Sequence, residues 1–190
     1  LAEEACLAGV DWLQLRVKNE IFEEWLIIAK EVVAICKRHK VTVIINDNPE
    51  ISKLSGADGV HLGKEDISPM EARILLGEKA IIGGTANSLE DVKNLTTQGV
   101  DYIGLGPFRF TKTKENLSPV LGIDGIKTIL VAAKSTIPVV VIGAIKSSDL
   151  DEIISAGAHG VAVSSAINFA QDKEISVKEF HGQLELNYII

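Results

Sequence analysis

With 190 residues, 46% of them hydrophobic and 24% charged, the chain has the length and composition for one domain with a substantial core. A formal net charge of −7 and the lack of a basic patch speak against nucleic-acid binding. No apolar run approaches the roughly 18 residues of a membrane span, and Leu1-Ala2-Glu3-Glu4 is not the basic start of a signal peptide. Cys6 and Cys36 sit in no metal-ligand or Cys-x-x-Cys spacing and read as reduced residues of a cytoplasmic protein.

Residues 1–8 carry Leu1, Ala5 and Ala8 at helical spacing, with Gly9 as the stop. The chain begins without Met, and the reading places its true N-terminus further upstream. From Trp12 to Val17 the residues alternate: Leu13, Leu15 and Val17 on one face, Gln14, Arg16 and Lys18 on the other. A strand with one wet face and a strand lining a barrel both fit that pattern. An amphipathic helix is expected from about Ile21 to His39, with Trp25, Ile28, Val32 and Ile35 on one stripe. The strand Val41–Asn46 follows, ending at Asp47, which also fits a turn former or helix N-cap before Asn48-Pro49. A short helix, Pro49–Ser55, stops at Gly56, and Gly59–Leu62 is the next strand. Ser68-Pro69-Met70-Glu71 has the form of a capping box opening a helix that ends near Gly77.

The second half repeats the alternation. Ala80–Gly84 is a strand leading to Thr85, Ser88 opens a helix ending at Gly99, and Asp101–Leu105 is a strand leading into Gly106-Pro107. A long loop, Phe108 to about Leu121, holds Thr111-Lys112-Thr113-Lys114; a loop of that length in a compact domain is commonly functional, here as a closing element. Gly122 to Ser135 is helical, and Pro138–Ile142 is an apolar strand ending at Gly143. Ser147 opens a helix ending at Gly157. Gly160–Val163 is the last strand, followed by Ser164-Ser165 and a final helix to about residue 180.

Seven strand–helix units in one domain, residues 1–190, predict a parallel α/β fold. The recurring Gly-x-(Asp/His) connections at Gly9, Gly56, Gly99 and Gly157, and the absence of a dinucleotide fingerprint, favour a (β/α)8 TIM barrel over an open sheet. Its first strand would lie before residue 1.

Barrel chemistry collects at the strand C-termini. There the sequence places Gln14, Arg16 and Lys18; Asn46 and Asp47; Asp66; Thr85; Thr111, Thr113 and Lys114; Gly143; and Ser164 with Ser165. Two carboxylates on adjacent strand ends suit a hard cation such as Mg²⁺. The later glycine and serines suit a phosphate. Of the histidines, His39 and His181 read as exposed helix residues, His159 as a turn residue, and His61 as core rather than catalytic.

In order and spacing, Gln14-Leu15-Arg16-Val17-Lys18, Ile45-Asn46-Asp47, Gly56 to Asp66, Asp101 to Pro107, Thr111 to Lys114 and Gly160 to Ile167 resemble the thiamine-phosphate synthase (thiamine-phosphate pyrophosphorylase) family. The resemblance implies joining 4-amino-5-hydroxymethyl-2-methylpyrimidine diphosphate to a thiazole phosphate, with loss of pyrophosphate, and of CO₂ from a carboxylated thiazole. It implies that Gln14, Leu15, Arg16, Val17, Lys18, Asn46, Thr85 and Lys114 hold the pyrimidine diphosphate. Arg16, Lys18 and Lys114 would act in catalysis. Asp47 and Asp66 would ligate Mg²⁺, and Thr111, Thr113, Gly143, Ser164 and Ser165 would hold the thiazole phosphate. Departures from the family are Thr85 for Ser, Lys64 for Gln, and Gly143-Ala144-Ile145 for Gly-Gly-Ile. The rival readings are a thiazole tautomerase, which lacks the Asn-Asp pair and the Thr-x-Thr-Lys loop, and a non-catalytic binder of thiamine precursors. The partners expected are small-molecule substrates and not nucleic acid or membrane; homo-oligomerisation is left open.

Overall fold

The computed structural model describes residues 1–110 and 118–188, with side chains to residue 184. The strands are β1 (Trp12–Leu15), β2 (Thr42–Asn46), β3 (Gly59–Leu62), β4 (Ile81–Ala86), β5 (Tyr102–Leu105), β6 (Val139–Ile142) and β7 (Gly160–Ala162). The helices are α1 (Ala2–Leu7), α2 (Phe22–His39), α3 (Pro49–Ser55), α4 (Pro69–Leu76), α5 (Leu89–Thr97), α6 (Gly122–Ala133), α7 (Leu150–Ser155), α8 (Ser165–Asn168) and α9 (Lys173–Tyr188). A 3₁₀ turn, Ser147–Asp149, leads into α7.

All strand pairs are parallel and follow chain order from β1 to β7. The sheet is strongly curled. In a flat sheet, β1 and β5 would stand about 19 Å apart at the usual strand spacing. Instead Gln14 Nε2 donates to Tyr102 Oη across 2.9 Å, and the Trp12 and Tyr102 rings meet edge to face at 5.4 Å. The helical layer also comes round on itself: Lys173 of α9 reaches Glu4 of α1 at 3.3 Å. This is the barrel class that the β/α alternation predicts, with seven strands among the described residues.

Period-two alternation divides each strand between two environments. Val43, Ile45, Val60, Leu62, Ile82, Ile103, Leu105, Val139 and Val141 are buried against the helices. Each such burial contributes roughly 1.5–3 kcal/mol. Residues of opposite parity, among them Gln14, Asn46, His61, Thr85 and Tyr102, turn to the barrel interior. Gly83 makes room there: a Cβ on it would lie 2.2 Å from the Tyr102 ring and 2.5 Å from His61 Nδ1.

The Gly-x-(Asp/His) connections have a common physical cause. Gly56, Gly99 and Gly157 take positive φ of 72°, 71° and 101°, turning the chain out of each helix. Two residues on, a side chain accepts the N–H of the first or second residue of the preceding strand. Asp58 takes that of Val43 (2.8 Å), Asp101 that of Ile82 (2.7 Å), and His159 that of Val139 (3.1 Å). These contacts lie at the strand-entry end of the barrel, the end associated with stability rather than chemistry.

Several local expectations need correction. β1 ends at Leu15, so Arg16, Val17 and Lys18 form an irregular segment and not a continued strand. The buried residues of α2 are Ala29, Val33 and Cys36, with Trp25, Ile28, Val32 and Ile35 only partly covered beside them. Small side chains let that helix sit close to the sheet. Asn48, and not Asp47, caps α3: its side chain accepts from Ile51 N–H at 3.0 Å. Thr85 lies inside β4. The last helical segment is two helices, and α9 runs on to Tyr188. The capping box of Ser68 and Glu71 is present as read. Cys6 and Cys36 are buried free thiols, and burial with Cys6 alongside pushes Cys36 up to about 12. Among the described residues, no helix is long and apolar enough to cross a membrane.

Candidate active site at the strand C-termini

Inside the barrel a polar chain crosses four strands. Gln14 of β1 donates to Tyr102 Oη of β5 (2.9 Å). Tyr102 Oη meets His61 Nδ1 of β3 (2.9 Å), and His61 Nε2 meets Thr85 Oγ1 of β4 (2.9 Å). His61 and Tyr102 are each 7% exposed. Burial alone raises the Tyr102 hydroxyl well above its ordinary range, so it stays a neutral hydrogen-bonding group. The expectation that His61 is core holds for its burial, yet it faces the interior cluster and not the apolar layer. Tyr102 entered the sequence reading only within the stretch Asp101 to Pro107, with no role of its own. The available signal was parity, since both residues alternate with apolar neighbours that face the helices.

Where β2 ends, the chain makes a tight three-residue turn, Asn48 N–H donating to Asn46 O at 2.8 Å. Asp47 at its centre has φ 68°, a backbone state uncommon outside glycine and enriched in Asp and Asn. Its Oδ2 accepts from Arg16 Nε at 3.0 Å. Beside it, Asn46 Oδ1 is buried without a hydrogen-bond partner among the described residues, an unspent acceptor at the rim. After β3, Asp66 Oδ2 accepts from Gly63 N–H at 2.6 Å, which ties its carboxylate back to the strand end. The β2 and β3 ends are direct neighbours, since Asp47 N–H donates to His61 O at 2.9 Å. A cleft of about 320 Å³ is lined by Lys64, Asp66, Thr85 and Asp91 among others, and Lys64 pairs with Asp91 at 2.6 Å.

The later strands build a second corner. Phe108 N–H donates to Ile142 O (2.8 Å) and Arg109 N–H to Gly143 O (3.1 Å), clamping the chain after β5 onto the end of β6. Gly143 has φ 108°, and a Cβ on it would lie 2.8 Å from both Phe108 N and Pro107 Cα. Glycine is therefore required here by packing as well as by conformation. Arg109, absent from the sequence reading, forms a two-pronged pair with the buried Asp149, its Nη2 reaching Oδ1 at 2.7 Å. The Arg109 guanidinium, joined by the Lys146 N–H, holds the Asp149 carboxyl below the usual carboxylate range against the opposing effect of burial. No local pattern signals this pair, whose members are 40 residues apart. Ser164 stands at the N-terminal boundary of α8, just past β7, without a side-chain cap hydrogen bond, and both Ser164 and Ser165 are exposed. Because β6 and β7 pair in parallel, with Ile142 opposite Ala162, Gly143 and Ser164 share one rim. Thr111, Thr113 and Lys114 lie outside the described residues.

Fold and geometry together define a parallel β/α-barrel protein with a cluster of polar side chains at its strand C-termini, the end where barrels of this class carry their chemistry. The family model described as thiamine monophosphate synthase matches residues 1–167. A thiamine-phosphate synthase of Flavobacterium johnsoniae is 43% identical over 190 residues, 98% of this chain and 90% of the relative. One from Bacteroides fragilis is 47% identical over 174 residues, 90% of this chain and 85% of the relative. Among solved structures, a thiamine phosphate pyrophosphorylase from Pyrococcus furiosus superposes with a TM-score of 0.86 at 29% identity, covering 98% of this chain and 89% of that one. The chain belongs to the thiamine monophosphate synthase family.

Proposed function

We infer that this chain, as one barrel domain over residues 1–190, performs its family's reaction in the cytoplasm. The C–O bond between the pyrimidine methylene and its diphosphate breaks, pyrophosphate leaves, and the thiazole nitrogen takes the methylene to give thiamine monophosphate. A carboxylated thiazole also loses CO₂. The observation that carries this reading is the run of polar groups on the early strand ends, Gln14, Asn46 and Thr85 facing the barrel interior with Asp47 following β2 and Asp66 following β3, in a chain of this family.

The residue types suit the chemistry. Charge separates as the bond breaks, and Arg16, Lys18 and Lys114 supply cations for the departing diphosphate. Thr85 and the Gln14 amide offer neutral donors at the pyrimidine side. Gly143, Ser164 and Ser165, on the later part of the rim, take the thiazole phosphate, and the family resemblance adds Thr111 and Thr113 to that role. Holding both rings in reach replaces a bimolecular encounter by an oriented one, and no protein nucleophile is needed.

The donor set also fits Mg²⁺. Asp47, Asp66 and the unpartnered Asn46 Oδ1 are all hard oxygen ligands on neighbouring strand ends. Asp47 and Asp66 would hold the ion, which when bound would neutralise diphosphate charge and orient the leaving group. Arg16 keeps Asp47 turned to the rim, and Gly63 N–H does the same for Asp66.

The test is to mix the two precursors with Mg²⁺ and the chain and to assay thiamine monophosphate and pyrophosphate. Stoichiometric formation of both is expected. Binding of either precursor without product would leave the chain a precursor-binding protein.

A further inference from the structure

His61 and Tyr102 hold no place in the site read from the sequence, although both lie at its centre. Their hydrogen bonds have a direction that can be worked out atom by atom. Gln14 Nε2 carries only protons, so at 2.9 Å Tyr102 Oη is its acceptor. Tyr102 has one hydroxyl proton and, at 7% exposure, no bulk water to give it to. The acceptor within hydrogen-bond reach is His61 Nδ1, at 2.9 Å. A neutral imidazole that accepts at Nδ1 carries its proton on Nε2. That proton points at Thr85 Oγ1, 2.9 Å away. With its oxygen accepting from His61, the Thr85 hydroxyl has its own proton left to donate.

We propose that His61 and Tyr102 are positioning residues that fix Thr85 as a hydrogen-bond donor, so that this rim position selects an anionic oxygen such as a phosphoryl group. The polarity runs one way, from Gln14 through Tyr102 and His61 to Thr85. A ligand oxygen takes that proton, whereas a ligand donor finds only the remaining lone pair of the hydroxyl and leaves the Thr85 proton without an acceptor. The packing preserves this order. A Cβ at Gly83 would press on Tyr102 and His61, and one at Gly104 would lie 3.0 Å from His61 Cε1. The two glycines therefore admit both rings side by side, and the Trp12 ring packs edge to face with Tyr102 at a centroid separation of 5.4 Å. That Thr85 meets the pyrimidine diphosphate rests on the proposed function; the polarity of the relay does not.

The relay is read directly by two-dimensional ¹⁵N NMR of histidine-labelled protein, whose four imidazoles are assigned by single substitutions. The expected result is a neutral His61 in the Nε2–H form in the ligand-free protein. An Nδ1–H form would overturn the proposal whatever the enzyme does. Kinetics supply the second readout. Thr85→Val and His61→Phe should each lower kcat/KM for the pyrimidine diphosphate by about ten- to a hundredfold, the cost of one hydrogen bond to a charged group. The double variant should lose no more than either single one. His61→Gln, which can both accept from Tyr102 and donate to Thr85, should recover most of the rate. Full additivity of the two substitutions would count against a relay. An unimpaired Thr85→Val would instead refute the assignment of Thr85 to the diphosphate, leaving the NMR result to decide the relay itself.

Discussion

Arg16 and Asp47, 31 residues apart, meet at 3.0 Å where β1 and β2 end, with 28% and 31% of their side chains exposed. An ion pair this wet contributes at most about 1 kcal/mol to stability. Its use is placement: it aims a guanidinium and a carboxylate at one rim. Arg16→Gln is expected to move the melting temperature by only a few degrees while lowering kcat by roughly a hundredfold, the scale of losing one transition-state charge contact. Thermal melts alongside steady-state kinetics check this. A large loss of stability with kcat preserved would make the pair structural.

Asp47 separates charge from backbone strain. Its φ of 68° is free of steric cost for glycine. Asp47→Gly should therefore keep the fold, by circular dichroism and melting, and lose turnover. Asp47→Val should lose both, because a β-branched residue is an outlier at positive φ.

For the metal reading, Asp66→Asn is more informative than Asp66→Ala. The amide oxygen still accepts the Gly63 N–H now taken by Asp66 Oδ2 at 2.6 Å. Stability should be retained to within about 1 kcal/mol, while kcat falls steeply and the Mg²⁺ concentration for half-maximal rate rises. Wild-type turnover unaffected by a chelator would dismiss the Mg²⁺ assignment.

Ala144 has φ 51°, and Gly143 before it has φ 108°. The left-handed state costs a non-glycine residue about 1–2 kcal/mol, partly offset by the greater freedom of glycine in the unfolded chain. Ala144→Gly should thus stabilise the chain by about 0.5–1 kcal/mol, read as a higher urea midpoint at unchanged slope. Equal or lower stability would show that the methyl makes compensating contacts.

Asp149 gives a pH signature. The Arg109 guanidinium depresses its folded pKa below the unfolded value. Its contribution is therefore fully present above the unfolded carboxylate range and fades as pH falls through the folded pKa. Asp149→Asn should be clearly less stable than wild type at neutral pH, and the gap should narrow in acid below about pH 4. Denaturant midpoints across pH 2–8 measure it. A gap independent of pH would trace the loss to packing rather than charge.

Local chemistry settled much of this architecture in advance. Ser68 with Glu71, Pro49 at the head of α3, and the glycines at 56, 99 and 157 act within a few residues of themselves. Their effect is legible from neighbours alone. Strand parity was legible too, but not which parity faced the barrel interior, because alternation looks the same for a wet face and an interior one. Curling decided that. It brought Gln14 to Tyr102 across 88 residues and His61 to Tyr102 across 41. It also turned a histidine read as core into the middle of a polar relay. Arg109 with Asp149 and Arg16 with Asp47 belong to the same class of fact. Each is a contact between segments that approach only once a parallel sheet has closed on its helices, so their energy depends on a distance that no stretch of sequence contains.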